Sequence, residues 1–79
     1  MPIARTAVQV HAAMVAKIRA GADGWRPGEK LPPWKQLAPA FETSLGTIAR
    51  VMPRLAREGW TVPVPGAGTW VAEKLPTVR

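Results

Sequence analysis

A small α+β domain, three helices followed by a two-stranded β-hairpin, is the fold this sequence predicts, and three stretches predict it. Ile48, Val51, Met52 and Leu55 fall at the i, i+3, i+4, i+7 spacing that lines one stripe of a helix. From Thr6 to Ala20 the apolar positions Ala7, Val10, Met14, Val15 and Ile18 repeat in the same way. After Gly59 the period shortens towards two through WTVPVPGAGTWVAEKL, with the turn residues Pro65, Gly66, Ala67 and Gly68 in its middle.

The 79 residues suit one domain, and a chain of this size buries only about 60–65% of its unfolded surface, so the core must be built from few side chains. The expected unit is a single domain over 1–79, with its core at about 6–72 and a loose tail at 73–79. A hydrophobic fraction of 47% with four Trp is too apolar for a disordered basic tail. Eleven Lys and Arg against five acids give a formal net charge of +6, which favours a polyanionic partner, double-stranded DNA first. With no Cys and a single His11, no metal site is expected, and no cofactor. An enzyme is not expected either, because no nucleophile has an obvious base and Gly66 to Gly68 has no following helix with which to cradle phosphates. No stretch approaches the ~20 apolar residues of a membrane span and no signal pattern opens the chain, so a cytoplasmic location is expected.

Thr6 is placed to cap the first helix, Lys17 and Arg19 lie near its C-terminal end, and Gly21 stops it. His11, on its flank, reads as a partly exposed surface histidine. GADGWRPG is a turn-rich connector from which Trp25 is expected to fold back over the core. In EKLPPWKQLAPAF the stripe is Leu37, Ala38 and Phe41, with Leu31 ahead of it and Pro33 in the first helical turn. A proline inside a helix removes an amide donor at a cost of ~3 kcal/mol, so this second helix is either kinked at Pro39 or begins close to Lys35. Glu42 to Leu45 leave room only for a tight turn before the third helix, which Ser44 caps and Gly59 ends. Helix, short turn, helix is the arrangement whose second member enters a major groove. Pro53 leaves the Ala49 carbonyl without its helical donor; either it is tolerated on the exposed face, or its kink sets the angle of Gly46 to Arg50. In the hairpin, Trp60, Val62 and Val64 alternate on one side and Trp70 and Val71 come back. Pro63 and Pro65 cannot donate to a ladder, so the first strand is short or pairs along one edge only.

Stepping round the third helix at about 100° per residue sets Gly46, Arg50, Pro53 and Arg57 opposite the apolar stripe, with Thr47 and Arg54 on one flank and Ala49 on the other. Ser44, Thr47 and the free amides at Leu45 and Gly46 suit a phosphate oxygen, although Ser44 is equally explained as a cap that never leaves its own helix. Lys35 and Arg54 offer charge to a phosphate backbone. Arg50 is the candidate for a base edge, since a guanidinium takes guanine O6 and N7 together. For Arg57 a solvated charge, or an ion pair with a neighbouring acid, suffices.

PGEKLP, Leu37-Ala38, Phe41, Ser44, GTIAR, Arg54-Leu55, REGW and GAGTWVA stand in an order and register that resembles the N-terminal DNA-binding domain of GntR-type bacterial transcription regulators, over about Ala7 to Ala72. The resemblance implies a winged helix-turn-helix. It also implies sequence-specific binding of double-stranded DNA by a repressor-like regulator, with the recognition helix at about 45–58 in the major groove and the wing at 62–71 on the adjacent backbone or minor groove. By the same resemblance DNA is held at Lys35, at Ser44, Leu45, Gly46, Thr47 and on to Arg50, and at the wing tip, Gly66, Ala67, Gly68 and Thr69. The departures are specific. Pro33-Trp34-Lys35 replaces a common Ser-Glu-Arg, Leu45 and Ala49 stand where Arg is frequent, and Ala67 sits in a wing that is often basic. Leu45 then offers an apolar contact to a thymine methyl.

Larger members add a C-terminal domain that binds a small molecule and makes the dimer. No small-molecule effector site is legible in this chain, which reads as a stand-alone domain starting at Met1 rather than a fragment. Two copies, a homodimer templated by DNA, are expected on a repeat, because one or two base-reading residues supply only about 2–6 kcal/mol of discrimination against a genome of competing sites. Such a protein sits on the nucleoid when bound. The alternative is a winged helix used as a protein-interaction module, through a patch of Trp34, Trp60 and Trp70.

Overall fold

The computed structural model describes residues 5–76. Its elements are α1 (Ala7–Ala20), α2 (Trp34–Ala40), α3 (Leu45–Arg57), β1 (Thr61–Val64) and β2 (Gly68–Val71). The order is the one expected, three helices and then an antiparallel hairpin. α3 is the hub, packing against α1, α2 and β1. Its stripe of Ile48, Val51, Met52 and Leu55 is buried against Val10, Met14 and Ile18 of α1 and Leu37 and Ala38 of α2. Trp25 does fold back, and its ring meets Phe41 edge-on at 5.6 Å and 77°, a favoured aromatic geometry.

Local chemistry sets the ends of the helices. Thr6 and Gln9 form a capping box: Thr6 Oγ1 accepts from the Gln9 amide at 3.3 Å, and Gln9 Oε1 accepts from the Thr6 amide at 2.9 Å. At the ends of all three helices one amide reaches back three residues and the next reaches back five, the Schellman pattern. The pairs are Gly21 to Ile18 with Ala22 to Lys17, Glu42 to Pro39 with Thr43 to Ala38, and Gly59 to Ala56 with Trp60 to Leu55. The middle one has Glu42 at φ 53° where glycine is usual. A side chain in that left-handed region costs about 1–2 kcal/mol, and Arg5 holds it there. The Arg5 amide donates to the Glu42 carbonyl at 3.0 Å, Thr43 Oγ1 donates to the Arg5 carbonyl at 2.8 Å, and the Arg5 guanidinium lies 3.5 Å from the Glu42 carboxylate.

Several expectations need correction. Pro33 is the N-cap of α2 and not a first-turn residue; its carbonyl accepts from Gln36 and Leu37. Of the two alternatives for α2 the second holds: it begins close to Lys35, one residue before it, which puts Pro39 in its last turn, where little helix remains to be broken. Trp60, Val62 and Val64 do not share one side. Trp60 is in the core, placed by the helix stop that precedes the strand, whereas Val62 and Val64 are 48% and 43% exposed. Thr61 and Val71 are the buried pair across the hairpin. The segment after Ala72, expected to be loose, is held at Leu75, which packs on the core; its last residues, 77–79, lie outside the described residues.

The sheet has one strand-like partner that the sequence did not announce. Glu29 to Leu31 runs along the outer side of β2, with Leu31 donating to the Thr69 carbonyl and Val71 donating to the Glu29 carbonyl, both at 2.8 Å, and a bridge between Lys30 and Trp70. β1 therefore forms the open edge. The register pairs Pro63 with Thr69, and Thr69 bonds outward to Leu31. By the alternation of an antiparallel ladder, Pro63 then also turns its nitrogen outward, where no partner is lost and edge-to-edge pairing is discouraged.

α3 continues through Pro53, and both Pro53 and Ala49 are exposed, so water reaches the carbonyl that the proline leaves free. Replacing Pro53 with Ala restores that bond. The expected result is a melting temperature higher by at least about 4–8 °C, the equivalent of 1 kcal/mol in a domain this small. A melting temperature that stays level or falls would show that the proline is part of the packing.

Candidate nucleic-acid interface

The first turn of α3 is built by Ser44, whose Oγ accepts from the Thr47 amide at 3.1 Å and donates to Thr47 Oγ1 at 3.0 Å. Both hydroxyls named as phosphate ligands are thus spent first on the cap. Beyond them Leu45, Gly46, Ala49 and Arg50 form an exposed strip on the first two turns. Leu45 is 45% exposed. Arg50 is exposed and makes no ion pair among the described residues, so its guanidinium is free for a ligand.

The wing tip is a type II turn, with Pro65 and Gly66 (φ 78°) at its centre and the Ala67 amide donating to the Val64 carbonyl at 3.0 Å. Gly66, Ala67 and Gly68 are exposed and Thr69 is half-buried. They line one wall of a cleft of about 820 Å³ whose other wall runs from Lys30 to Trp34 and Gln36. A second cleft of about 350 Å³ joins Trp34 and Thr69 to Met52, Pro53 and Arg57 of α3. The wing, the start of α2 and the outer side of α3 therefore share one continuous surface. Lys35 is exposed next to Trp34 at the start of α2.

Arg54 is engaged elsewhere. Its Nε lies 3.2 Å from Glu58 Oε2, while His11 Nε2 of α1 sits 2.5 Å from Glu58 Oε1. Glu58 thus ties α1 to α3 and holds the side chain read as a backbone contact. The His11 hydrogen bond above all, and then Arg54, hold the Glu58 carboxyl below the usual carboxylate range. Arg57 is the freer of the two arginines in the last turn, exposed and lining the second cleft.

Two residues outside the sequence-derived set belong to this surface. Lys30 lies with its Nζ 5.3 Å from the centre of the Trp70 ring, and a Cβ at Gly68 would stand 2.7 Å from its Cε, so Lys30 and the wing are in contact. Trp34 stands between the two clefts. Lys30 stands within PGEKLP and Trp34 opens α2, but nothing local to them shows this position, which for Lys30 comes from the pairing of Glu29 to Leu31 with β2. The aromatic patch needed by a protein-interaction module does not form. Trp60 is buried, and Trp70 lies on the other face of the hairpin, beside Val62 and under Lys30. Among the described residues no acid or histidine cluster suits a metal ion, and no helix is long and apolar enough to cross a membrane.

Comparison with known proteins agrees with this geometry. Residues 6–71 match the model of the family described as bacterial regulatory proteins, gntR family. The chain is similar to the histidine utilization repressor of Klebsiella aerogenes, 38% identical over 65 residues, which are 82% of this chain and 26% of that protein. It is similar to the arabinose metabolism transcriptional repressor of Geobacillus stearothermophilus, 33% identical over 51 residues, 65% of this chain and 14% of that one. The chain thus spans about a quarter or less of the length of these relatives. Among solved structures it resembles the AraR DNA-binding domain in complex with operator ORX1, with a TM-score of 0.75 and 28% identity over 89% of this chain and 82% of that one.

The Glu58 clasp has a measurable pH signature. A carboxyl whose value is lowered on folding adds stability that is complete above the ordinary carboxylate range and is lost as the pH falls through its lowered value. Glu58→Gln is therefore expected to melt below the wild type at neutral pH, with the gap closing on acidification. A gap that is the same at neutral and strongly acidic pH would assign the clasp's contribution to packing and not to charge.

Proposed function

We infer, since this chain belongs to the gntR family of bacterial regulatory proteins, that it is a non-catalytic, sequence-specific binder of double-stranded DNA and acts as a repressor-like regulator of transcription. The observation that carries this is Arg50: a guanidinium without an acidic partner among the described residues, exposed on the first half of a capped helix and about one turn before Pro53, which lines the cleft that reaches the wing. In this reading α3 lies in the major groove, where Arg50 takes a guanine edge. The wing tip, Gly66 to Thr69, follows the adjacent backbone or minor groove. Lys35 and Arg57 meet phosphates, and Arg54 joins them when Glu58 releases it. The likeness to a domain whose structure is in complex with an operator supports the orientation. The net charge of +6 supports the partner. The protein works in the cytoplasm, on the nucleoid when bound.

The test is a duplex titration across salt. Four to six phosphate contacts give a slope of log affinity against log salt of about −4 to −5. Absence of duplex binding at low salt would end this reading, and an unbiased selection of bound genomic fragments yields the site. Two copies are proposed to pair on that site, forming a homodimer that DNA assembles. One recognition helix discriminates by only a few kcal/mol, roughly 2–6 for one or two base-reading residues, and among the described residues no element is given over to dimerisation. Footprints at saturation should then cover two half-sites; protection of a single half-site would count against pairing.

A further inference from the structure

We propose that Leu45 and Gly46 act together as a reader of a thymine methyl group, with Leu45 making the contact and Gly46 letting the helix come close enough for it. The inference rests on the DNA-binding reading and deepens it. Two independent features of the first turn of α3 point to it, and the fold itself accounts for neither.

The first is Leu45. The other large aliphatic side chains of α3 (Ile48, Val51, Met52 and Leu55) are all buried in the core, whereas Leu45 stands 45% exposed and outside the core cluster. It is the leading residue of the helix, and helical side chains lean towards the N-terminus, so nothing in α3 covers it. Its neighbour one turn on is Ala49, too small to shield it.

The second is Gly46. Its backbone is not in the left-handed region, and a Cβ built on it would meet only Ser44 Oγ, at an ordinary 3.8 Å. Neither conformation nor packing asks for glycine there, and alanine is the better helix former. A helix that keeps a bare backbone on its outward face gains closeness to whatever lies opposite. Leu45 and Gly46 adjoin, so the closest approach and the apolar contact fall in one place.

The chemistry then selects the base. Leucine has neither donor nor acceptor, so it gains nothing from the polar edges of guanine, adenine or cytosine. Thymine alone among the four bases offers a methyl group in the major groove. Burying about one methyl group corresponds to roughly a fourfold change in affinity. This is modest beside an arginine–guanine pair, and enough to fix one position of a site.

The experiment uses the selected duplex at fixed salt, with each thymine replaced in turn by deoxyuridine, which removes the methyl and keeps the Watson–Crick edge. The wild type should show at least one thymine whose replacement weakens binding about fourfold. Leu45→Ala should bind the thymine and deoxyuridine duplexes equally. Gly46→Ala should melt no lower than the wild type, yet bind the selected duplex more weakly and with a reduced methyl effect. The proposal is overturned if no thymine is methyl-sensitive, if the sensitivity survives in Leu45→Ala, or if Gly46→Ala binds as the wild type does. A wild type that binds duplex DNA with the expected salt slope but ignores the methyl sinks this inference alone. A wild type that binds no duplex sinks the DNA-binding reading with it.

Discussion

Burial of one side of α3 is the constraint on which the rest of the molecule depends. Ile48, Val51, Met52 and Leu55 are at most 3% exposed, and each such side chain contributes about 1.5–3 kcal/mol by leaving water. In a domain whose net stability is of the order of 5–15 kcal/mol, that stripe admits no alternative rotation of the helix. Turning α3 by one residue in one sense would carry both Arg50 and Arg54 towards the core, and in the other sense Pro53. The outward direction of Arg50 is therefore a consequence of the packing. α1, α2 and the hairpin are the three walls that complete the burial, and the connections have to bring them to α3 at the right places.

Those connections share one solution with different chemistry. Each helix stops by folding its last amides back onto its own carbonyls, and the residue that makes this possible has a left-handed backbone. After α1 and α3 that residue is glycine, which adopts it freely. Between α2 and α3 it is Glu42, and the missing freedom is offset by hydrogen bonds from a distant part of the chain, Arg5. The turn that sets the relation of α2 to α3 is thus also the point where the segment ahead of α1 is fastened. Arg5 thereby holds the turn that leads into α3.

What could be read in the sequence was whatever repeats within a few residues. The stripes of α1 and α3, the caps at Thr6 and Ser44, the stops at Gly21 and Gly59 and the hairpin with its Pro-Gly turn are all local patterns, and the structure has each of them. Features made by pairing across the chain were not legible. Glu29 to Leu31 is too short to show a strand period and is hemmed by prolines, so its place beside β2, and with it the contact of Lys30 with Trp70, left no trace. His11 carried no signal because its partner, Glu58, is 47 residues away. Alternation showed that Val62 and Val64 share a face of the hairpin, but a period of two does not say which face turns inward. That depends on α3 accepting Thr61 and Val71.

The residues that break local rules are not scattered. Gly46 and Pro53 within α3, Glu42 in its left-handed turn and Pro39 near the end of α2 each weaken the element that contains them. All four are exposed, and all lie in the helix-turn-helix unit, either on the outer side of α3 or on the approach to it. α1 and the buried stripe of α3, by contrast, follow capping and periodicity, apart from the exposed Val8. Where local choices agree with the fold, the fold explains them. Where they disagree, the cost is offset locally: Arg5 holds Glu42, Pro39 falls in a last turn, and Pro53 leaves its free carbonyl to water. The distribution separates the inner faces, which make the scaffold, from the outer side of α3 and its turn. Arg50, without an acidic partner among the described residues, stands on that outer side.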